Sequence, residues 1–441
     1  MLLEFRTENY KSFKDELIFS LMPAPKQKGL DYSILHEKIG RKAYKALSSA
    51  IIYGPNASGK TNIIGAMHTF KSIVMRGNIR NSGIFPPNIA SNYLELIPNN
   101  TLTKAKPVSF SIRFVDEGLI FEYGVSADLG LFLEYEHDRK ILKEYLNINE
   151  KPVFERDETL VISPLKFLRG YLVNDFERNE ESLISIAGSN LDDEELFLMN
   201  GFKNMISAKI ATMISTWLSR KFMVFCSADS LQLVRQSSES NSPIYIEKTV
   251  NEAAKIFGIN SNDLGYVCDG ENQESKLCSL FNNGQEKGNL IPAELFESYG
   301  TIRFVNMFPL VVDALINGGT LIVDEFDASL HPMALMNIIN IFHNDELNKK
   351  NAQLVFNTHN PIFLNPNFFR RDEIKFVERD DETHCSIQYS LADFGTAGRG
   401  GVRKGEDYMN NYFVNRYGAI RDIDFSPILE EALQNFVEDT E

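Results

Sequence analysis

The sequence predicts an α/β fold assembled from both ends of the chain, with a mostly helical insertion between the two halves. Three observations carry this reading. A short apolar run, "ALSSAIIYG" (46–54), enters a glycine-containing turn and gives way at once to a helical pattern, "TNIIGAMHTFKSIVM". Two later apolar runs, "TLIVDE" (320–325) and "AQLVFNTH" (352–359), stop abruptly in polar residues. Between about 164 and 260, apolar positions recur instead near a 3.6-residue period. Short unbroken apolar runs suit strands covered on both faces, as in a parallel sheet.

In chain order, residues 1–20 alternate polar and apolar and read as two strands around a turn. The run at 46–54 is the first buried strand, and its helix follows. Residues 107–146 read as a hairpin-rich sheet, with "DEG" and "DLG" as turns. "DEELFLMNGFKNMISAKIATMISTWLSRKF" and "YIEKTVNEAAKIFGI" are helical. A helix is expected from about 297 to 317 and another from about 332, each followed by a strand. The expected organisation is 1–163 for the first half of the core, 164–289 for the insertion and 290–441 for the second half. "FGTAGRGGVRKGED" (394–407) reads as a flexible, basic loop.

At 441 residues the chain exceeds one simple core. No apolar run approaches the ~18–20 residues that cross a bilayer, so no membrane partner is expected. Glu4 and Arg6 stand where a signal peptide needs an apolar stretch. The four cysteines show no paired spacing; reduced thiols in a cytoplasmic protein are expected, and zinc at His384 and Cys385 is not. A net charge of −15 argues against a surface coated for nucleic acid. Residues 1–61 nevertheless carry ten Lys/Arg against six Asp/Glu, while 175–198 carry eight acids against one Arg.

"GPNASGKT" (54–61) fits G-x-x-x-x-G-K-[ST] and lies between a strand and a helix, where the motif works. Gly54 and Gly59 let the backbone of Pro55, Asn56, Ala57 and Ser58 curl so that N–H groups face phosphate oxygens, and the helix start at Lys60, Thr61 and Asn62 adds positive potential. Lys60 would reach the β- and γ-phosphates, and the Thr61 hydroxyl would ligate Mg²⁺. The acids that end "TLIVDE" then have a purpose, because carboxylates are costly to bury uncompensated. Asp324 would hold Mg²⁺ and Glu325 would polarise the attacking water. An acidic pair at a strand end can also be a capping turn, a reading the phosphate motif displaces. His359 in "NTHN" could sense the γ-phosphate. Ser298 and Gly300 in "ESYGT" could present a hydroxyl and a helix N-terminus to an anion.

In this order, GPNASGKT, ESYGT, LIVDEFDASLHP and NTHN resemble the ATP-binding-cassette class of P-loop ATPases, and more closely its SMC/RecF branch. "LEFRTENYKSF" is similar to that branch's opening strand, which implies that Lys11 and Phe13 lie near the nucleotide. "ESYGTIRFVNMFPLVVDALINGGTLIVDEFDASLHP", "AQLVFNTHNPIFL", "RRDEIKFVE", "YSLADF" and "NRYGAI" look like the AAA-type ATP-binding proteins of RloA-like and abortive-infection systems. The resemblance covers roughly 1–146 and 290–421. It implies an ABC/SMC-type P-loop ATPase head and a head-to-tail ATP sandwich. Ser298 and Gly300 of one subunit would contact the γ-phosphate held by Lys60 of the other, with Asp327 at the dimer seam. His331 stands where transporter cassettes carry an Asp, and no Gln occurs between residues 28 and 231 to fill the glutamine-loop role. The 237 residues from Thr61 to Ser298 favour an SMC-like insertion over a transporter motor.

Related nucleases of the overcoming-lysogenisation-defect type continue into a Toprim domain, for which the residues after His359 leave no room. "RDDE" (379–382) reads as a solvated hairpin turn. The expected function is a slow ATPase switch, a homodimer or larger homo-oligomer, that controls a separate antiviral effector; a Toprim-type nuclease is the candidate. The alternative is a RecF-like repair ATPase clamping duplex DNA, with Arg399, Arg403 and Lys404 on phosphates and a steep salt dependence.

Overall fold

The structure is a computed structural model. It describes the chain except residues 26, 28, 81–95, 135, 175, 227–243, 246–247, 260, 262, 269–274, 282–288, 397–400, 404, 422, 431–432 and 434–441.

The strand Ser49–Tyr53 is buried at every position, and so are Thr320–Val323 and Gln353–Asn357. These apolar runs therefore need cover on both faces, and the central sheet provides it. Its strand order is Phe222–Phe225, Thr320–Val323, Gln353–Asn357, Ser49–Tyr53, Ile374–Arg379 and Ser386–Ser390. The first five run parallel and the last pairs antiparallel. Alternate residues part to opposite faces, as the two-residue strand period requires. Ala50, Ile52, Ile322, Val355 and Val377 enter one core, and Ile51, Tyr53, Leu321, Val323, Leu354, Phe356 and Phe376 enter the other.

The first core is closed by helix Lys60–Arg76 and a seven-stranded antiparallel sheet. That sheet holds the two N-terminal strands, Leu2–Glu8 and Leu17–Ser20, and the hairpin strands Val108–Asp116, Leu119–Asp128 and Lys140–Ile148, as the alternation predicts. Lys151–Arg156 and Leu160–Ile162 extend it. Helices Tyr299–Asn317 and Pro332–Phe342 close the second core. Among the described residues, Tyr299–Asn317 is the one helix long and apolar enough to cross a membrane. The expectation that no such segment exists is corrected on that measure. The helix buries Phe304, Val305, Met307, Val311 and Ala314 against the sheet and carries a buried Arg303, which is how a core helix packs.

The stretch 164–289 carries the helices Phe176–Ser189, Ala208–Thr216 and Lys248–Phe257, but it is not one excursion from the core. Phe222–Phe225 returns to the central sheet as an edge strand beside Thr320–Val323. Trp217, just before it, stacks on Phe114 at 3.8 Å and on Phe222 at 5.3 Å, binding the two lobes. The chain then builds a small antiparallel sheet from Ile244–Tyr245, Asp263–Cys268, Ser275–Phe281 and Asn289–Pro292. A strand of four residues after a helical run has no periodicity of its own, which hides it in the sequence. Of the glycine-rich tract expected to be flexible, Val402 is buried and its carbonyl accepts from Arg371 Nη1.

Two polar contacts tie the lobes together. Gln353, wholly buried, accepts from the Leu2 N–H (2.6 Å) and from Thr320 Oγ1 (2.9 Å), and donates to the Leu2 and Leu47 carbonyls (3.0 and 2.9 Å). Replacing Gln353 by Ala strands several buried backbone groups and should cost about 3 kcal/mol or more, read as a lower urea midpoint. Lys71, on helix Lys60–Arg76, donates to the Phe222 carbonyl (2.7 Å), and burial pushes its ammonium down to about 8. Its folded-state value lies below the unfolded one. Between pH 8 and 10.5 the unfolded chain therefore binds more protons at this site, and the site's contribution to stability rises with pH. Wild type should gain on Lys71→Met by on the order of 1–2 kcal/mol between pH 7.5 and 10 in urea titrations.

Candidate functional site: a phosphate loop at the end of the central sheet

The phosphate loop follows from the strand it leaves. Gly54 has no room for a side chain: a Cβ there would lie 2.4 Å from the Val377 carbonyl oxygen of the neighbouring strand. Ala57 (φ 62°) and Gly59 (φ 110°) adopt the left-handed conformation, which turns successive N–H groups inward to form an anion nest. A Cβ on Gly59 would also meet Ser386 Oγ and Ser12 Oγ at under 3 Å. No side chain caps helix Lys60–Arg76, so the N–H groups of Lys60 and Thr61 are left for an anion, while that of Asn62 donates to the Gly59 carbonyl (3.0 Å). Lys60 is buried, and its Nζ donates to the carbonyls of Gly54 (2.7 Å) and Pro55 (2.9 Å) across the loop. Burial lowers its ammonium to about 8 against the opposing pull of Asp324 and Glu325.

Asp324 ends the adjacent-but-one strand and is brought to the loop as expected. Its Oδ1 accepts from Thr61 Oγ1 at 3.2 Å and from Asn357 Nδ2. Burial raises its carboxyl, and those two hydrogen bonds oppose the rise. Glu325 is exposed, with a left-handed backbone (φ 51°) that a β-carbon tolerates poorly. Two contacts hold it there: its N–H donates to Asn357 Oδ1, and its carbonyl accepts from Arg303 Nη2. Asp327 accepts from Thr358 Oγ1 (2.6 Å), and burial raises its carboxyl. His359 is exposed beside these acids. Desolvation and then the charge of Lys60 lower its pKa, while Asp327 and Glu325 pull it up.

Thr61, Asp324, Lys60, Glu325 and His359 therefore converge. The Thr61 hydroxyl and the Asp324 carboxylate form a hard-oxygen pair on opposite sides of one small gap, a donor set that fits Mg²⁺ completed by phosphate and water oxygens. Among the described residues no group of three His, Cys, Asp or Glu side chains is placed to hold a metal ion.

The signature residues sit elsewhere. Ser298 is exposed and caps its own helix, accepting from the Thr301 N–H (3.1 Å). Gly300 packs so tightly on the loop after Asp324 that a Cβ would lie 2.4 Å from the Ser329 carbonyl oxygen. The small antiparallel sheet positions this segment, since Glu297 accepts from Ser261 Oγ (2.9 Å) and Ser279 Oγ (3.0 Å). Leu295, Phe296 and Tyr299 around Ser298 are left exposed.

The expectation for the N-terminal turn needs correction at Phe13. Phe13 is buried in the first core and cannot meet a nucleotide. Lys11 lies with its Nζ 5.6 Å from the Tyr10 ring centroid. The residue between them makes the contact with the loop: Ser12 Oγ accepts from Asn62 Nδ2 (2.8 Å), and its carbonyl accepts from the Ser386 N–H (2.7 Å). Ser386 Oγ in turn donates to the Ser58 carbonyl (2.6 Å). Sequence reading missed Ser12, Ser386, Asn357 and Arg303. Ser12, Arg303 and Asn357 stood inside quoted stretches in which other residues drew the roles, and Ser386 stood in none. Of the basic residues offered for DNA, Arg403 is exposed, while Arg399 and Lys404 lie outside the described residues.

A family model described as "AAA domain, putative AbiEii toxin, Type IV TA system" matches residues 49–365, well over half the chain. No curated protein matches by sequence. Solved structures similar to the chain include an SMC head domain from Thermotoga maritima (TM-score 0.36, 14% identity, 88% of this chain and 98% of that one). An SMC head bound to the C-terminal winged-helix domain of ScpA gives TM-score 0.38 and 12% identity, with 88% and 97% covered. A third, derived from Pyrococcus furiosus, is an SMC head with an extended coiled coil bound to the C-terminal domain of ScpA (0.37, 14%, 89% and 97%).

Asn357 is the joint between the Asp324 carboxylate and the Glu325 backbone. Asn357→Ala should lower the kcat of ATP hydrolysis at least tenfold while KM shifts about threefold or less, measured by phosphate release. A raised KM with kcat unchanged would show that Asn357 acts through binding instead.

Proposed function

The chain belongs to this AAA-domain family, matched over residues 49–365, and from that premise we propose that it is an ATP-binding and slowly ATP-hydrolysing switch that closes as a head-to-tail dimer. The observation that carries the reading is the meeting of Thr61 and Asp324 at 3.2 Å, beside Lys60 and Glu325. Four groups from two distant segments have the types and places that phosphoryl transfer to water needs.

In this reading the nest at 54–61 binds the phosphates through backbone N–H groups. Lys60 leaves its carbonyl partners to meet the β- and γ-phosphates. Thr61 and Asp324 would hold Mg²⁺, which when bound neutralises phosphate charge. Glu325, on its fixed left-handed turn, accepts the proton of the attacking water. His359 stands at the edge of the γ-phosphate position, with its neutral form favoured by desolvation and Lys60. A neutral imidazole can donate from one nitrogen and accept on the other.

Ser298, Gly300 and the exposed Leu295, Phe296 and Tyr299 support trans engagement. Ser298 faces solvent at a helix start, where a second copy's nucleotide could receive it. Asp327, held by Thr358, would lie at that seam. The AbiEii description supports a place in an abortive-infection type of defence, with closure of the dimer presenting a surface to a separate effector.

With Glu325→Gln, MgATP should convert monomer to a dimer of doubled mass in light scattering, without DNA. Adding Ser298→Arg should abolish that dimer while changing ATP affinity less than threefold. Unchanged mass in the presence of bound ATP would sink the sandwich. Dimerisation only on adding duplex DNA would favour a clamp.

A further inference from the structure

The segment after Arg421 differs from the rest of the surface. Residues 422–441 carry seven Asp and Glu and no Lys or Arg. Within them Phe425, Ile428, Leu429, Ala432, Leu433 and Phe436 fall at i, i+3, i+4, i+7, i+8 and i+11, the spacing of one helix face. Residues 426–430 and 433 are helical. At the start, Asp424 Oδ1 accepts from the Ser426 N–H (2.9 Å), and Pro427 lies in the first turn, where its missing N–H breaks no helical bond. The apolar face is nevertheless open: Phe425, Ile428, Leu429 and Leu433 are each between 59% and 66% exposed. Single exposed apolar side chains are ordinary, whereas four on one stripe mark an interaction surface.

Charge and place narrow the occupant. Seven acids without a base are repelled by phosphate, so neither a nucleic acid nor an anionic membrane surface is a match. The segment also starts on the flank of the phosphate loop. Ala419–Arg421 and Pro55–Ser58 wall one cavity, with Ala419 held by Glu378 and Arg421 by Asp381. That loop is where the head-to-tail dimer brings Ser298 of a second copy. Just before Ser298, Leu290, Leu295 and Phe296 are exposed as well. They are carried on the strand Asn289–Pro292 and the short helix Ala293–Phe296 that continues it, and Phe281 meets the Phe296 ring edge-on at 4.6 Å.

We propose that the acidic amphipathic segment of one copy clasps the signature segment of a second copy, its stripe covering Leu290, Leu295 and Phe296 when ATP closes the dimer. The inference rests on the dimer reading above and adds a contact that holds the closed state besides the nucleotide. The reach is sufficient, since the twelve residues from Arg421 to Leu433 span about 18 Å as helix. The carboxylates occupy the opposite face, where they remain in water with the dimer open or closed. Apolar burial carries the contact, so screening by salt does not loosen it.

The test uses the full chain with Glu325→Gln and places p-benzoylphenylalanine at position 429. Unlabelled and isotope-labelled copies are mixed and irradiated, and the joined peptides are identified by mass spectrometry. With MgATP, position 429 of one copy should join residues 289–296 of the other, and without nucleotide these products should disappear. In light scattering, Leu429→Asp with Leu433→Asp should weaken the ATP-dependent dimer at least tenfold, while ATP affinity changes less than twofold. Leu295→Asp should weaken the dimer too, and all three changes together should cost no more than the larger effect alone, as expected of residues in one contact. Sodium chloride at about 0.5 M should leave the dimer as tight as before. If MgATP gives a dimer that the two Asp substitutions do not weaken, the clasp is wrong and the sandwich stands. Joining within one copy, or to a different protein, also overturns the proposal. If MgATP gives no dimer at all, the reading beneath it fails as well.

Discussion

The site depends on one buried carboxylate. Asp324 ends a strand covered on both faces and is only 7% exposed, where an uncompensated charge would cost several kcal/mol. Its compensation comes from two other strands. Thr61 donates from the helix after Ser49–Tyr53, and Asn357 donates from the end of Gln353–Asn357. The central sheet places these strands as near neighbours, so the carboxylate is tolerable only when the parallel register is correct. Stability and function thus make the same demand on the same atoms. The compensation is also incomplete, since burial still leaves the Asp324 carboxyl raised. A divalent cation would supply the remainder, which is a physical reason for a metal there.

A second constraint runs between the lobes. The loop is gripped from outside its own strand: Ser12 reaches it from the antiparallel lobe and Ser386 from the far edge of the central sheet. Gln353 and Lys71 bind the same two lobes further along. Because these partners lie from 50 to 351 residues apart, the loop takes its shape only once both ends of the chain are assembled.

What could be read from the sequence divides along the same line. GPNASGKT, the acids after "TLIV" and the strand-end "NTH" are contiguous, and each has a residue pattern tied to one chemistry. Their convergence followed from strand ends lying on one side of a parallel sheet. Ser12, Ser386 and Arg303 act through tertiary contacts and have no local pattern, so nothing in the sequence distinguished them from surface or core residues. Phe13 shows the converse. Its place in a motif pointed to the nucleotide, yet an aromatic among buried neighbours packs into the core, and its neighbour Ser12 meets the loop. Phe222–Phe225 was hidden by its shortness and by the helical run before it, and the small sheet before Ser298 by an average that reads as helical.

Helix Tyr299–Asn317 and the turn after Asp324 form one packed unit within a chain. Arg303 holds the Glu325 carbonyl from one end, and Gly300 sits against the Ser329 carbonyl at the other. Ser329 is itself left-handed (φ 62°), as Glu325 is, so the eight-residue loop 324–331 between strand and helix holds two strained residues, each pinned by the same helix. A rigid helix cannot shift at its first turn without displacing both points. Under the proposed dimer, a load placed on Ser298 by a second copy's nucleotide would be delivered to the Glu325 backbone through Arg303, five residues along the same helix. The base that activates water and the residue that senses the partner would then be coupled by packing alone, with no need for a longer path through the molecule.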